Sequence, residues 1–399
     1  MMKAKRSRVF FLVPALIVFI SLTASAAFAD CPNQVDSSGA DALQMLVLGD
    51  SIMWGQGLRD DEKFSSRVKC WLQEQTNREV KLHIEAHSGA VISGSALAQR
   101  TFTTSDGEVN LVSPTITEQL DHAVQFYKQN QVTPALILMN GCINDVGVKN
   151  LLAASTPIED LRAHVRQNCG EKMQTLLQRV RNNFPQAEVV VTSYYPIVSS
   201  LTADNPFLRL LVKELNNQRP EARHMTDKEM RQRLIAISNE WYKTSTASLA
   251  EAVMKTNGAG ADPKVRFVEL QFGPEHLFAA PESLLWTFLF ASTHLSGFAK
   301  VVVLLSFGTA AYKADDHMRD SRIKSCKETF KKPKGIKEDK KQKEDREDLF
   351  LTCRYASLGH PNHMGALVYT EAIKGQLLQV INRAGWKRDR IAHSEDKKQ

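Results

Sequence analysis

The residues best suited to do chemistry in this chain are polar, sit beside glycines, and follow apolar runs. The first group is Val47-Leu48-Gly49-Asp50-Ser51-Ile52-Met53-Trp54-Gly55-Gln56-Gly57, an apolar strand passing straight into a Gly-Asp-Ser turn. In a parallel sheet, sites form at the carboxyl ends of strands, which puts Ser51 at the mouth of a crevice. A serine hydroxyl there is a nucleophile in waiting, and backbone N–H groups at the start of the following helix can face a developing oxyanion. The competing use of such glycines is a phosphate cradle. Their spacing fits neither G-x-G-x-x-G nor a Walker A motif, and no lysine follows in register. Asp50, adjoining the nucleophile, reads as a residue that pins the turn.

Three further groups stand at matching places. His87-Ser88-Gly89-Ala90 follows a second strand and Asn140-Gly141-Cys142-Ile143-Asn144-Asp145 a third. Gly359-His360-Pro361-Asn362-His363-Met364-Gly365 precedes the last helix. Taken in the order Ser, Gly, Asn and His, the four groups resemble the SGNH (GDSL-type) esterase and lipase family, across about residues 43 to 383. The Tyr194-Tyr195-Pro196-Ile197 stretch also looks like members of this family.

The resemblance implies a serine hydrolase acting on carboxylic esters without a cofactor. Ser51 would attack the carbonyl, and His360 would take its proton as general base and return it to the leaving alkoxide. The backbone N–H groups of Ser51 and Gly89 and the side-chain amide of Asn144 would form the oxyanion hole. Two positions depart from the family pattern. Cys142 stands where the third block usually has glycine, with Gly141 one place earlier. Ser357 stands three residues before His360, where the family has an aspartate, leaving the Ser357 carbonyl as the natural candidate to orient the imidazole. One rival reading is a carbohydrate O-deacetylase, which keeps the machinery but favours a small acetyl pocket. Another is an inactive binding protein on the same fold, supported by the missing aspartate alone.

The remaining reactive residues have plainer readings. His360-x-x-His363 lacks a carboxylate or cysteine cluster at ligand spacing, and His83-Ile84-Glu85-Ala86-His87 is not H-E-x-x-H, so no metal is expected. His363 reads as a helix-turn or substrate-mouth residue and Trp54 as packing. Six cysteines at 31, 70, 142, 169, 326 and 353 are an even count, which in an exported chain predicts disulfides rather than nucleophiles. Fifteen pairings are open in principle; pairing of sequence neighbours is preferred, Cys326–Cys353 above all.

Short apolar runs alternate with helical patterns, which predicts an α/β fold, a three-layer α/β/α sandwich with a mainly parallel sheet. The expected strands are Gln44–Leu48, Val80–Glu85, Ala135–Met139, Glu188–Thr192 and Val265–Leu270. Thr156-Pro157-Ile158-Glu159 and Thr226-Asp227-Lys228-Glu229 both read as capping boxes, the second leading a helix to about Met254. A last helix is expected from just after Pro361 to about Asn382.

Of the 399 residues, 43% are apolar and 24% charged, which excludes a chain disordered throughout. The net charge of +7 points towards nucleic acid only until its location is examined. Lys3, Lys5, Arg6 and Arg8 precede the apolar run Val9–Ala27, and Ala27-Phe28-Ala29 fits a signal-peptidase site. Cleavage after Ala29 would leave +3 on a secreted or periplasmic chain, with residues 30–399 as one domain and no nucleic-acid partner. Residues 271–350 form an insertion. Within it, the apolar runs Leu284–Phe290 and Val301–Phe307 read as core, as a lid, or as a peripheral lipid contact through 284–307 that borders the acyl pocket. Lys327–Asp348, with nine Lys/Arg and seven Asp/Glu, reads as a solvated, mobile segment.

Overall fold

A computed structural model describes residues 31, 42–94, 101–104, 107–110, 114–203, 224–259, 262–287, 323–332, 335 and 337–388. The expected signal peptide and most of the 284–307 segment lie outside these residues. Five parallel strands form the central sheet in the order β2-β1-β5-β6-β7. They are β1 (Leu43–Leu48), β2 (Val80–Ile84), β5 (Leu136–Met139), β6 (Glu188–Thr192) and β7 (Val265–Val268). A separate antiparallel pair joins β3 (Thr101–Thr104) to β4 (Gly107–Asn110). The interior strands β5 and β6 are buried at every position, as strands covered on both faces must be.

Helices α2 (Phe64–Thr76) and α10 (His363–Arg383) pack together on one layer. The other contains α3 (Ile116–Gln129), α6 (Ile158–Val165), α7 (Met173–Asn183) and the long α8 (Asp227–Asn257). The chain is thus a three-layer α/β/α sandwich with a parallel sheet. Each layer takes its hold from local chemistry. Thr115 and Thr226 form complete capping boxes with Glu118 and Glu229, and α8 buries Trp241 completely in the core.

Some boundaries differ from expectation. At α6 no capping box forms: Pro157 is the cap itself, and the Thr156 hydroxyl donates instead to the Asn150 carbonyl at 2.8 Å. β7 stops at Val268, and the Leu270 N–H is taken by the Ser193 hydroxyl at 2.8 Å rather than by a neighbouring strand. The charged insertion contains a helix, α9 (Lys340–Tyr355), capped by Asp339 and exposed along its charged first half, as a solvated segment should be. Beneath it, Cys326, Cys353 and Phe330 make a small buried cluster separate from the main core.

All three disulfides join sequence neighbours: Cys31–Cys70, Cys142–Cys169 and Cys326–Cys353.

Candidate active site

The four polar groups converge at the carboxyl edge of the sheet. β1 ends at Leu48, and Ser51 opens α1 (Ser51–Trp54), a single helical turn capped by Asp50. Asp50 is fully buried and its carboxylate is closely held. One oxygen accepts from the Ile52 N–H and the Asn140 amide, both at 2.9 Å; the other accepts from the Tyr194 hydroxyl at 2.6 Å. Burial raises the Asp50 pKa, and these donors oppose that rise. Gly49 is gripped as well, since its N–H and carbonyl pair reciprocally with the Gln119 amide at 2.8 and 3.0 Å. The Ser51 turn is therefore held by residues just past the ends of β5 and β6 and by one on α3.

Gly89 lies in a turn closed by the Ala90 N–H to the His87 carbonyl at 3.2 Å. Its φ of +80° is a conformation glycine adopts without steric cost. The third block follows β5 as α4 (Ile143–Val146). The Asn144 amide donates to the Ala90 carbonyl at 2.9 Å, which leaves its second N–H for a ligand. Asp145 next to it accepts from the Ile92 N–H at 2.9 Å and from Lys172 Nζ at 3.1 Å. Two side chains thus bind the Gly89 loop to the Asn144 turn. Tyr194 joins this pair to the first block, because its hydroxyl also accepts from the Ile143 N–H at 3.3 Å.

The departures from the family pattern are now visible as backbone. Cys142 has φ +113°, a left-handed value that costs a non-glycine residue about 1–3 kcal/mol. Gly141 answers a different need: a Cβ there would lie 2.7 Å from the Ile116 side chain, too close for any real contact.

His360 arrives from the far end of the chain. Its Nε2 lies 2.7 Å from Ser51 Oγ. Hydrogen bonds to neighbouring segments hold its loop. The Trp286 N–H donates to the His360 carbonyl at 2.8 Å, and the Gly359 N–H donates to the Trp286 carbonyl at 2.9 Å. The Asn362 N–H donates to the Leu284 carbonyl at 2.8 Å, and the Tyr195 hydroxyl to the Gly359 carbonyl at 2.8 Å. Ser357 is fully buried; its carbonyl accepts the His360 backbone N–H at 2.9 Å, and its hydroxyl makes no hydrogen bond. His363 occupies the first turn of α10, 6.3 Å from the Trp286 ring. Trp54 packs under the Lys63 ammonium, 3.7 Å from its ring centre. No group of three or more His, Cys, Asp or Glu residues placed to hold a metal occurs among the described residues.

Ser51, Gly89, Asn144 and His360 border one cleft of ≈ 300 Å³. Its other walls are mostly apolar, including Val148, Leu152, Ile197, Val198, Phe278 and Leu358. Sequence reading assigned no individual role to Asn140, Gln119, Trp286 or Asp145. Asn140 and Asp145 lie inside a block already singled out and Trp286 inside the apolar run Leu284–Phe290; Gln119 carried no signal.

A family model for the GDSL-like lipase/acylhydrolase family matches residues 47–227, a stretch that contains Ser51, Gly89 and Asn144. Residues 47–227 are a domain of the GDSL-type SGNH esterase/lipase family. The chain therefore contains the core of a catalytic hydrolase family, with His360 beyond the matched stretch. A search of curated proteins finds no match. Among solved structures, the lipase Lip_vut3 from a goat rumen metagenome is 18% identical, covering 57% of this chain and 80% of that one, TM-score 0.34. The extracellular lipase of Streptomyces rimosus is 15% identical over 63% and 90%, TM-score 0.37. Phospholipase A1 from Streptomyces albidoflavus NA297 is 14% identical over 61% and 86%, TM-score 0.35. The SGNH assignment rests on the matched residues 47–227 and not on these distant likenesses.

Proposed function

We propose that this chain hydrolyses carboxylic esters with an apolar acyl group, using Ser51 as nucleophile and His360 as general base. The observation that carries the reading is the 2.7 Å approach of His360 Nε2 to Ser51 Oγ at the mouth of the apolar cleft. In the acylation step, Ser51 Oγ bonds to the carbonyl carbon as its proton passes to Nε2. The oxyanion is met by the backbone N–H groups of Ser51 and Gly89 and by the Asn144 amide. Collapse of the intermediate expels the alcohol, which takes the proton from His360. Water, activated by the same imidazole, then releases the acid and frees Ser51.

The cleft walls favour acyl chains longer than acetyl, since each buried methylene contributes about 0.8 kcal/mol. A panel of p-nitrophenyl esters from acetate to palmitate tests this, alongside labelling with a fluorophosphonate. Butyrate to octanoate should be turned over best. Ser51→Ala should lose both turnover and label with its thermal midpoint unchanged. Persistent labelling of that variant would move the nucleophile elsewhere, and a strong acetate preference would favour the deacetylase reading. Export completes the proposal: the mature chain should begin at Asp30, which N-terminal sequencing of protein from the producing cell checks.

A further inference from the structure

Two tethers from a single stretch of helix bracket Asn144. Helix α6 passes without interruption into a π-helical stretch, Arg166–Lys172, and on into α7. Such wide turns inside longer helices occur frequently at functional sites. From this stretch Cys169 is bonded to Cys142, two residues before Asn144. Lys172, three residues further along, pairs with Asp145, one residue after Asn144. Both cysteines are fully buried, and the Asp145 side chain is 1% exposed.

The first tether falls at the place where the backbone needs holding. Cys142 keeps φ +113° although it is not glycine, and strained backbone persists only where its surroundings over-determine it. Cys142 is the cap residue of α4, so its conformation sets the direction in which Ile143 and Asn144 leave the strand. The second tether acts on the same turn from the other side. Asp145 also accepts the Ile92 N–H, so Lys172 steadies the Gly89 loop through it.

We propose that the Cys142–Cys169 disulfide and the Lys172–Asp145 ion pair are positioning groups for the Asn144 amide, replacing with a covalent cross-link the backbone freedom that glycine supplies elsewhere in the family. The inference rests on the reading of Asn144 as an oxyanion donor. Loss of one such donor lowers kcat by about 10²–10³-fold, so a displaced one should cost part of that.

The test uses the full mature chain with p-nitrophenyl butyrate. Cys142→Ala/Cys169→Ala should lower kcat by about 10–100-fold with KM nearly unchanged. Cys142→Gly/Cys169→Ala lacks the same bond but suits the left-handed backbone, and should recover most of that loss. Cys326→Ala/Cys353→Ala, which removes a cross-link in the separate cluster, should leave kcat as in the wild type. Wild-type kcat in the alanine pair, or a glycine pair no better than the alanine pair, overturns the inference. The side-chain amide resonance of Asn144 in ¹⁵N-labelled protein gives a readout independent of turnover. It should shift in the alanine pair and in Lys172→Met, a variant that keeps every disulfide. An unmoved resonance in both overturns the inference even if the wild type hydrolyses no ester, a result that would count against the functional reading instead.

Discussion

At the scale of single residues, the site is built from buried polar side chains that each serve two partners. Tyr194 is the clearest: it donates to Asp50 and accepts from the Ile143 N–H, so one hydroxyl spans the Ser51 turn and the Asn144 turn. Its ionisation is pushed far up by burial and by the neighbouring Asp50, which keeps it a donor at any working pH. Tyr194→Phe leaves a buried carboxylate one donor short and a buried N–H without its acceptor. About 1–3 kcal/mol of stability should be lost, together with turnover, as read by denaturant unfolding and kcat. The Ser357 side chain makes no such link. Ser357→Ala should therefore keep most of the activity while His360→Ala loses nearly all of it. A large loss in Ser357→Ala would show that the hydroxyl, not the backbone, orients the base.

At the scale of elements, a short strap matters more than its length implies. Residues 284–286 pair with the His360 loop on both sides of an isolated bridge between Leu285 and Pro361. The described end of the apolar 284–307 segment thus holds the histidine and does not wall the cleft. Helix α10 starts directly behind, and His363 in its first turn contributes a pH dependence. Burial lowers the His363 pKa, with Arg67 acting in the same direction and Glu62 against it. The dipole of α10, positive at its N-terminus, also disfavours a charged imidazole there. With the folded value below the unfolded one, the stability this residue contributes is complete above about pH 6.5. It declines as pH falls towards the folded value, because the unfolded chain then binds the proton first. His363→Gln should flatten the acid side of a plot of thermal midpoint against pH.

At the scale of the whole molecule, the three disulfides divide the chain's tasks. Two cross-link the sandwich, Cys31–Cys70 tying the N-terminal segment to α2 and Cys142–Cys169 the third block to the π-helical stretch. The third staples the charged insertion around its own small cluster. Each closes a loop of 27 or 39 residues. A loop of such length stabilises the native state by about 3–4 kcal/mol through chain entropy. Unfolding under reducing conditions should therefore begin at a lower temperature than in oxidising buffer. Removal of Cys326–Cys353 alone should loosen α9 first, visible as faster amide exchange there while the sheet stays protected.

The sheet and the polar blocks at its carboxyl edge were legible in the linear chain because they rest on local signals. Apolar runs marked the five strands of the central sheet to within two residues, Thr226 announced α8, α10 starts just after Pro361 as expected, and the Gly-Asp-Ser turn lies directly after β1. Neighbouring cysteines also proved to be partners. Asp50, read as the residue that pins the turn, does so. What local patterns do not carry is the partner of a buried polar atom. Whether Asp50 meets Asn140 and Tyr194, or Gly49 meets Gln119, depends on chain segments 70 to 144 residues away being brought together, and no periodicity encodes that. The same holds for the His360 loop, whose grip on Trp286 is backbone-to-backbone and so indifferent to side-chain type. Cys142 joins both levels: its place in the third block was visible as a missing glycine, whereas its left-handed backbone and its bond to a π-helical turn exist only once the sheet and helices have packed.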